Sequence, residues 1–366
     1  MRVLLDYRPA LRARTGVGEY VHQTALALQA TAPEGHQVAV FSSSWKDRLV
    51  APAAGIACRD ARVPVRILNW SWHRLGWPPI EWVAGRTDVA HSPTPLLLPA
   101  ARAAQVVTIH DLFFLDHPES TAAEIRRDYP ALVAAHARRA DLVVTVSDTV
   151  AVQVVARLGI DPARIVTCPN GAPDWTARDA VPAEGPVICV GTLEPRKNIG
   201  GLLEAWRLLL ADGVRVPLLL AGSAPASAAR LLEQLALPPL AGVARHVGYL
   251  EAAERRAFYD RARLLVLPSL DEGFGLPAVE AMAAGVPVVV SRRGALPEVC
   301  GDAAAYVDPD DPRDIAATVA ALLHAPARLE DLRRRGVERA RHFSWQASAR
   351  RLWDAYGQAT TRRSAR

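Results

Sequence analysis

Residues 264–291 read Leu-Leu-Val-Leu-Pro-Ser-Leu-Asp-Glu-Gly-Phe-Gly-Leu-Pro-Ala-Val-Glu-Ala-Met-Ala-Ala-Gly-Val-Pro-Val-Val-Val-Ser. Two apolar runs, Leu264–Pro268 and Pro287–Ser291, lie at the ends of this stretch, and continuous runs of this kind are typical of strands buried on both faces of a sheet. Between them, a loop with flanking glycines leads into a helix from about Leu276. A strand, a helix and a second strand in this order predict a parallel α/β sheet.

The same alternation recurs along the chain. Further apolar runs are Arg2–Asp6, Gln37–Phe41, Val106–His110, Leu142–Val146, Val187–Gly191 and Pro217–Gly222. Helical patterns intervene, for example over Val17–Ala30, Asn198–Leu210 and Pro312–Leu323. We therefore predict an α/β protein with parallel sheets and helices on both faces. A length of 366 residues favours two domains over one.

The segment Cys168–Pro186 is rich in proline and glycine and has no helical period, so we place the domain boundary within it. The expected domains are 1–170 and 171–345. Two doubly wound domains joined by one linker leave a central cleft, and ligands of such sheets bind at the carboxyl ends of the strands. The residues just after strands are therefore the candidates for chemistry.

Composition narrows the class of protein. No apolar run reaches the roughly 18 to 20 residues that cross a bilayer, and Met1–Asp6 is too short for a signal peptide, so we expect a cytoplasmic protein. The four cysteines are far apart, which predicts free thiols. The formal charge of +5 suits phosphorylated ligands or an anionic membrane surface, and nucleic acid is the less favoured partner.

Glu272 and Glu280 are the first candidates, one in the loop after Leu264–Pro268 and one about a turn into the following helix. Glycines let the backbone approach a ligand, and a helix start favours anions such as a diphosphate. A carboxylate can accept two hydroxyl hydrogen bonds, as a sugar ring or a ribose diol would offer. On spacing alone, a surface helix with two solvated glutamates is an equal alternative.

Arg196 and Lys197 follow the run Val187–Gly191 and are the second candidates. Two adjacent cations at a strand end can reach one diphosphate, and fixed cations stabilise the charge that a leaving diphosphate gains. Lysine occurs at only two positions, Lys46 and Lys197, among 43 basic residues, so position 197 is informative. The alternative is a solvated charge pair.

Two further segments follow strands. Thr15-Gly16-Val-Gly18 is a glycine turn at a helix start that can touch phosphate, although it lacks the full dinucleotide-binding pattern. His110, followed by Asp111, can contact a sugar or carry a proton. A bare turn and a structural histidine are the respective alternatives, and no wider His and Asp constellation supports a metal-dependent phosphohydrolase.

Taken together, these segments resemble glycosyltransferase family 4, of the GT-B fold. Glu272 and Glu280 match the E-x7-E motif of that family, and Gly191-Thr-Leu-Glu-Pro-Arg-Lys-Asn198 is similar to the donor-phosphate loop of its mannosyltransferase-like members. Thr15–Gly18 resembles the N-terminal glycine loop, and the segment Val107–Glu119 also looks like those members. The four segments occur in the family order over nearly the whole chain.

The resemblance implies anomer-retaining hexose transfer without a metal ion or cofactor. It implies that Arg196 and Lys197 bind the diphosphate, with Gly16 and Gly18 near the phosphates and His110 near the donor sugar. Glu272 and the backbone of Gly273, Phe274, Gly275 and Leu276 would hold the sugar, and Glu280 the ribose. The acceptor hydroxyl would attack on the face that the diphosphate leaves, and the leaving phosphate would take its proton. The last helix, within 346–366 and ending near Tyr356, would cross back onto the first domain.

The loops that resemble those of mannosyltransferases favour GDP-mannose as the donor, with UDP-sugars as the rival. The expected acceptor is a glycan, a lipid-linked molecule or a small molecule. A nucleotide-sugar epimerase and an inactive nucleotide-sugar-binding subunit are the alternatives. Ala221-Gly-Ser223 departs from the family pattern, which puts phosphate contacts there in doubt. Asp308-Pro-Asp310-Asp311 contains a DxD, but it precedes the helix from Pro312, so we interpret it as a capped turn.

Trp70, Trp72, Trp77 and Trp82 fall within one short stretch beside Arg66, His73 and Arg74. One hypothesis is that this stretch lines the acceptor side and touches a lipid-linked acceptor at a membrane surface, with the protein peripheral at the inner face of the membrane. The alternative, which the sequence favours slightly, is a loop packed on the core of the first domain.

Overall fold

A computed structural model describes residues 1–11, 14–118 and 123–366; Glu119, the last residue of the segment that begins at Val107, lies outside the described residues. The chain divides into two compact units. The first comprises Met1–Gly171 and Trp345–Arg366, and the second comprises Ala172–Ser344.

The first unit is built on a parallel sheet of seven strands. In chain order these are β1 (Arg2–Asp6), β2 (Gln37–Ser42), β3 (Ala57–Asp60), β4 (Val89–Ser92), β5 (Ala104–Ile109), β6 (Leu142–Thr145) and β7 (Ile165–Thr167). Their order in the sheet is β3-β2-β1-β4-β5-β6-β7. The predicted strands are confirmed to within about two residues at their ends, because their continuous apolar runs are buried on both faces.

Helices cover this sheet. They are α1 (Gly16–Ala30), α2 (Val65–Leu75), α3 (Ile80–Ala84), α4 (Phe113–Asp116), α5 (Ala123–Arg139), α6 (Asp148–Leu158) and, after the second unit, the long C-terminal helix Trp345–Ser364. The ends of α6 follow simple rules. Ser147 accepts a hydrogen bond from the Val150 N–H at the start, and Gly159 in the left-handed region ends the helix.

The second unit has a parallel sheet of six strands. They are β8 (Val187–Val190), β9 (Leu218–Ala221), β10 (Ala244–Gly248), β11 (Leu264–Leu267), β12 (Val288–Ser291) and β13 (Ala304–Val307). The order in the sheet is β10-β9-β8-β11-β12-β13. The helices are α7 (Ile199–Ala211), α8 (Ala229–Leu235), α9 (Ala252–Asp260), α10 (Leu276–Ala284), α11 (Leu296–Cys300), α12 (Pro312–Leu323) and α13 (Pro326–Ala340), so the C-terminal helix Trp345–Ser364 is α14.

Both sheets are doubly wound, and each has one point where the strand order reverses. In the first sheet this point lies between β1 and β4, and in the second it lies between β8 and β11. Chains that leave two neighbouring strands at such a point diverge to opposite faces of the sheet, which leaves a crevice at the strand ends. The loops after β8 and β11 carry the Arg196–Lys197 pair and Glu272, so the second reversal point positions both candidates.

Five strands carry no strong sequence signal. Strands β3, β7 and β10 lie at sheet edges and are only partly buried, and therefore lack a continuous apolar run. Strand β4 contains the polar His91 and Ser92, and β13 is rich in alanine. Neighbouring strands in the sheet, and not intrinsic preference, define these segments.

Helix α14 packs on the first unit. The Tyr356 hydroxyl lies 2.7 Å from Nδ1 of His91 on β4, and the Trp353 indole N–H donates to the Leu28 carbonyl of α1 at 3.3 Å. The helix runs to Ser364, eight residues beyond the end expected near Tyr356. Side chains anchor this extension, because the guanidinium groups of Arg362 and Arg363 donate to carbonyls of the first unit. Within the described residues, no helix is both long and apolar enough to cross a membrane.

Candidate active site

The segment after β8 presents two cations at the end of the strand. Gly191 leaves the strand, and a short 3-10 helix, Pro195–Lys197, follows. The Asn198 side chain caps α7 by accepting from the Gly201 N–H. The Arg196 carbonyl accepts a hydrogen bond from the Leu270 N–H of the loop after β11, at 2.8 Å. The two loops are therefore joined through their backbones, which fixes the position of the cations.

Glu272 is the buried centre of an ion cluster. Its Oε1 accepts from the Lys197 ammonium at 2.5 Å and from the Ser269 hydroxyl at 2.8 Å. Its Oε2 accepts from Nη1 of Arg196 at 3.0 Å. Arg196 also donates to Glu194 at 2.9 Å. The structure thus brings together Arg196, Lys197 and Glu272, and it adds Ser269, a residue that sequence reasoning missed.

The environment of Glu272 keeps its carboxylate ionised. Burial by itself would raise the pKa, but the charges of Lys197 and Arg196 and the hydrogen bonds from Lys197 and Ser269 outweigh burial and lower the pKa to about 2. At neutral pH this site holds a fixed negative charge between two fixed positive charges. Such an arrangement can hold polar hydroxyls and phosphate oxygens without reorganising when charge develops.

This lowered pKa predicts an acid-sensitive contribution to stability. The folded pKa lies below the ordinary glutamate value, so the contribution is full above pH about 4.5 and is lost as the pH falls toward 2. Between neutral pH and pH about 2, we expect wild type to lose up to about 3 kcal/mol more unfolding free energy than Glu272→Gln. Urea unfolding at a series of pH values measures this. Glu338→Gln, at an exposed ion pair of the same unit, is the control, and parallel curves for wild type and Glu272→Gln would contradict the prediction.

Glu280 lies one turn into α10 and is almost completely buried. Its Oε1 accepts from Nη1 of Arg255 and its Oε2 from the Tyr259 hydroxyl, both at 2.9 Å. Arg255 and Tyr259 lie one turn apart on α9, so one helix face orients both oxygens. The equal alternative of two solvated glutamates is therefore wrong for both Glu272 and Glu280. Sequence reasoning missed Arg255 and Tyr259, because the sequence of a short amphipathic helix such as α9 does not indicate which helix it packs against.

His110 follows β5 in the first unit. Its Nε2 lies 3.0 Å from the Pro93 carbonyl, which can only accept, so Nε2 carries a proton. The ring packs edge-on against Tyr20 with ring centroids 4.7 Å apart. Burial lowers the pKa of His110, against the opposing effects of the Pro93 carbonyl and Asp111. The ring is therefore neutral at pH 7 and has Nδ1 as its acceptor, which suits a contact with a sugar hydroxyl.

Gly16 and Gly18 differ in their surroundings. Gly16 is exposed at the first position of α1, and apart from its own helix and chain neighbours no atom of the described residues lies within 4 Å of the place a β carbon would take. Gly18 is buried, and a β carbon there would lie 2.7 Å from the Pro9 carbonyl oxygen. Gly18 is thus required for the close packing of α1 on the short helix Arg8–Ala10. This packing accounts for a glycine at position 18 without a ligand, whereas Gly16 is exposed at the start of α1 and has no such packing explanation.

The chain matches two family models in succession. The model described as Glycosyltransferase Family 4 covers residues 14–174, and the model described as Glycosyl transferases group 1 covers residues 185–325. O-antigen chain mannosyltransferase B from Escherichia coli is 32% identical over 281 residues, which are 73% of this chain and 74% of that protein. The chain belongs to glycosyltransferase family 4.

Solved structures agree with a GT-B fold for this glycosyltransferase. Sucrose-phosphate synthase from Thermosynechococcus elongatus superimposes with a TM-score of 0.77 at 23% identity, over 98% of both chains. HepE from Anabaena, solved in complex with UDP and glucose, gives a TM-score of 0.72 at 16% identity, over 96% of this chain and 98% of that one. At these identities the likeness establishes the fold alone.

The Ala221-Gly-Ser223 turn of the glycosyltransferase has a structural explanation. Gly222 has φ of 140°, and a β carbon there would lie 2.0 Å from the Gly191 carbonyl oxygen. The Leu193 N–H donates to the Ser223 carbonyl at 2.9 Å, which holds the two turns together. Gly222 thus allows the ends of β8 and β9 to approach, and this approach supports the loop that carries Arg196 and Lys197.

The start of α10 also depends on glycine. Gly275 precedes the helix with φ of 94°, and a β carbon there would lie 2.7 Å from Cδ2 of Leu296. The Phe274 ring is buried against Phe343, with centroids 5.4 Å apart. The Phe274 side chain therefore anchors the loop, so that the backbone of Gly273–Leu276 is the part with which this glycosyltransferase can meet a ligand.

The DxD of the glycosyltransferase forms a capped turn, as predicted. The Asp311 side chain accepts from the Arg313 N–H at 2.9 Å and starts α12. Asp308 accepts from the Asp310 N–H at 3.0 Å, and Asp310 pairs with Arg293. In the part of the chain that the structure describes, no group of three His, Cys, Asp or Glu side chains is placed to hold a metal ion.

Proposed function

We propose that this glycosyltransferase moves mannose from GDP-mannose to an acceptor hydroxyl, with retention of the anomeric configuration and without a metal ion or cofactor. The observation that carries the proposal is the cluster of Arg196, Lys197 and Glu272 at the reversal point of the second sheet. The similarity to a mannosyltransferase over 73% of the chain supports the choice of sugar. The acceptor is a glycan, a lipid-linked molecule or a small molecule.

The cations act on the leaving group. As the bond from the anomeric carbon to the phosphate oxygen breaks, its electron pair passes to the diphosphate, which gains negative charge. Lys197 and Arg196 stabilise this charge. One of the three ammonium N–H groups of Lys197 points to Glu272, and the others are donors for phosphate oxygens. Both cations are held by carboxylates before the donor arrives, so little reorganisation is needed.

The remaining residues orient the donor. Glu272 accepts hydroxyl hydrogen bonds from the sugar together with the backbone of Gly273–Leu276, and Glu280 accepts from the ribose. The acceptor hydroxyl attacks the anomeric carbon on the face that the diphosphate leaves, and its proton passes to the leaving phosphate oxygen. No protein base is required. The roles of Gly16, Gly18 and His110 in the first unit stay predictions, of which Gly18 also has a packing explanation.

We further propose that the protein acts in the cytoplasm, with a peripheral contact at the inner face of the membrane. Its small-molecule partner is the nucleotide-sugar, and nucleic acid is no partner. The positive formal charge and the cluster around Lys197 support a phosphorylated ligand.

Calorimetric titration with GDP and then UDP, without added metal, tests the donor. We expect GDP to bind at least about tenfold more tightly than UDP, a difference of roughly 1.4 kcal/mol. Selective binding of UDP would show that the donor is a UDP-sugar and not GDP-mannose. Binding of neither would overturn the proposal in favour of an inactive subunit. Incubation with GDP-mannose alone is the companion test, because conversion without an acceptor would indicate an epimerase.

A further inference from the structure

The tryptophan-rich stretch of the first unit is divided between its core and its surface. Trp72 is buried, with its indole N–H donating to the Pro78 carbonyl at 2.9 Å and Phe41 5.8 Å away, centroid to centroid. The other three tryptophans point outward. For these three, the interpretation as a loop packed on the core is wrong, and the stretch forms helices α2 and α3.

Five large apolar side chains are exposed here, and we call them the tryptophan surface. They are Ile67 (60% exposed), Trp70 (60%), Leu75 (62%), Trp77 (55%) and Trp82 (72%). Ile67 and Trp70 lie one turn apart on α2, and the Trp77 and Trp82 rings touch edge-to-face with centroids 6.1 Å apart. The Ser71 hydroxyl donates to the Trp77 carbonyl, which holds Trp77 beside α2. Large apolar groups this exposed in one short, tied stretch mark an interaction surface and not a random scatter.

The charges around the tryptophan surface are positive. Residues 61–86 contain four arginines, Arg62, Arg66, Arg74 and Arg86, all exposed, against the single acidic residue Glu81. Both oxygens of the Glu81 carboxylate accept hydrogen bonds from the backbone N–H groups of residues 101–103. Asp128, 3.8 Å from His73 of α2, is paired with Arg127 at 2.7 Å.

We propose that the tryptophan surface docks this protein on a bilayer that contains anionic phospholipid. Tryptophan concentrates at the level of lipid headgroups, where its apolar ring is buried and its N–H stays hydrated. Arginines beside it meet the phosphate groups, while their stems cover apolar surface. A second copy of the chain fits less well, because pairing this surface with itself would bring the arginines of both copies together. The inference rests on the proposed peripheral location and deepens it by naming the surface and the lipid.

Cosedimentation of the full chain with vesicles tests the proposal. We expect binding to vesicles of phosphatidylcholine with phosphatidylglycerol, weakening as salt is added, and little binding to phosphatidylcholine alone. The variant Trp70→Ser/Trp77→Ser/Trp82→Ser should bind at least about tenfold more weakly, since it loses the three rings that the bilayer would bury. Arg66→Gln and Arg74→Gln should each weaken binding to the anionic vesicles about fivefold.

Two matched controls lie on the second unit. Leu237→Ser removes an apolar side chain that is 57% exposed, and Arg230→Gln removes an exposed arginine, and neither should change vesicle binding. Vesicle binding by the triple tryptophan variant at the wild-type level would overturn the proposal. So would wild-type protein that binds no vesicle but dimerises through the tryptophan surface. GDP titration of every variant separates this outcome from a failure of the proposed donor, because the substitutions spare the cluster around Glu272.

Discussion

Replacing Lys197 by alanine is expected to lower turnover of GDP-mannose by about 100- to 1000-fold, the usual cost of removing one fixed group that stabilises charge in a transition state. The ammonium is buried beside Glu272 and is held there before the donor binds. Its effect should fall mainly on kcat, because the charge of the leaving diphosphate is largest in the transition state. Initial rates of GDP release against donor concentration measure this.

Two further substitutions make the result specific. Lys197→Met keeps the aliphatic stem that packs against Gly191 but removes the charge, and should lose as much activity as Lys197→Ala. Lys46→Ala changes the other lysine of the chain, which is exposed, and should leave kcat unchanged. Near-wild-type turnover of Lys197→Met, with folding verified by circular dichroism, would show that charge at this position is not used in catalysis.

Replacing Glu280 by alanine is expected to weaken GDP binding by about tenfold or more, since a hydrogen bond to a charged group contributes about 1.5 to 3 kcal/mol. Arg255 and Tyr259 fix both carboxylate oxygens from one face of α9. A carboxylate held in this way can accept from a ribose hydroxyl at little entropic cost. Calorimetry of wild type, Glu280→Ala and Glu233→Ala, an exposed glutamate of the same unit, measures the effect.

A change in the ligand tests the same contact from the other side. Wild type should bind 2′-deoxy-GDP or 3′-deoxy-GDP more weakly than GDP, and Glu280→Ala should lose this discrimination. Arg255→Met should weaken GDP binding in wild type but add little in the Glu280→Ala background, because Arg255 acts through Glu280. If Glu280→Ala still discriminated against both deoxy nucleotides as wild type does, the ribose assignment would be wrong.

The ion cluster also links stability to activity. Glu272 and Lys197 are buried, and Arg196 is partly buried beside them. Removing Glu272 leaves two cations together, and removing Lys197 takes the closer of the two cations from a buried carboxylate, so each loss costs more than the loss of one surface ion pair. Some loss of stability is therefore expected in the Lys197 and Glu272 variants. Measurements of kcat on folded protein, below the onset of unfolding, keep the two effects apart.

The sequence by itself determined the class of fold and the positions of the main candidates. Continuous runs such as Leu264–Pro268 predict buried parallel strands because both faces of such a strand must be apolar. Glycines and helix starts after these strands locate Glu272, Glu280 and Lys197, and Asp311 identifies its own turn by local capping. These signals are readable because each depends on residues only a few positions apart in the chain.

Only the tertiary structure decided which of these residues meet. Lys197 and Glu272 are 75 residues apart in sequence, and they touch because β8 lies beside β11 in the sheet. Arg255 and Tyr259 join Glu280 because α9 packs beside α10. Trp70 and Trp72 are two residues apart on α2 and therefore lie on different faces of the helix, so that Trp72 is buried and Trp70 is exposed. Strand order and the packing of one helix on another arise from burial of the whole core, and no local stretch of sequence contains that information.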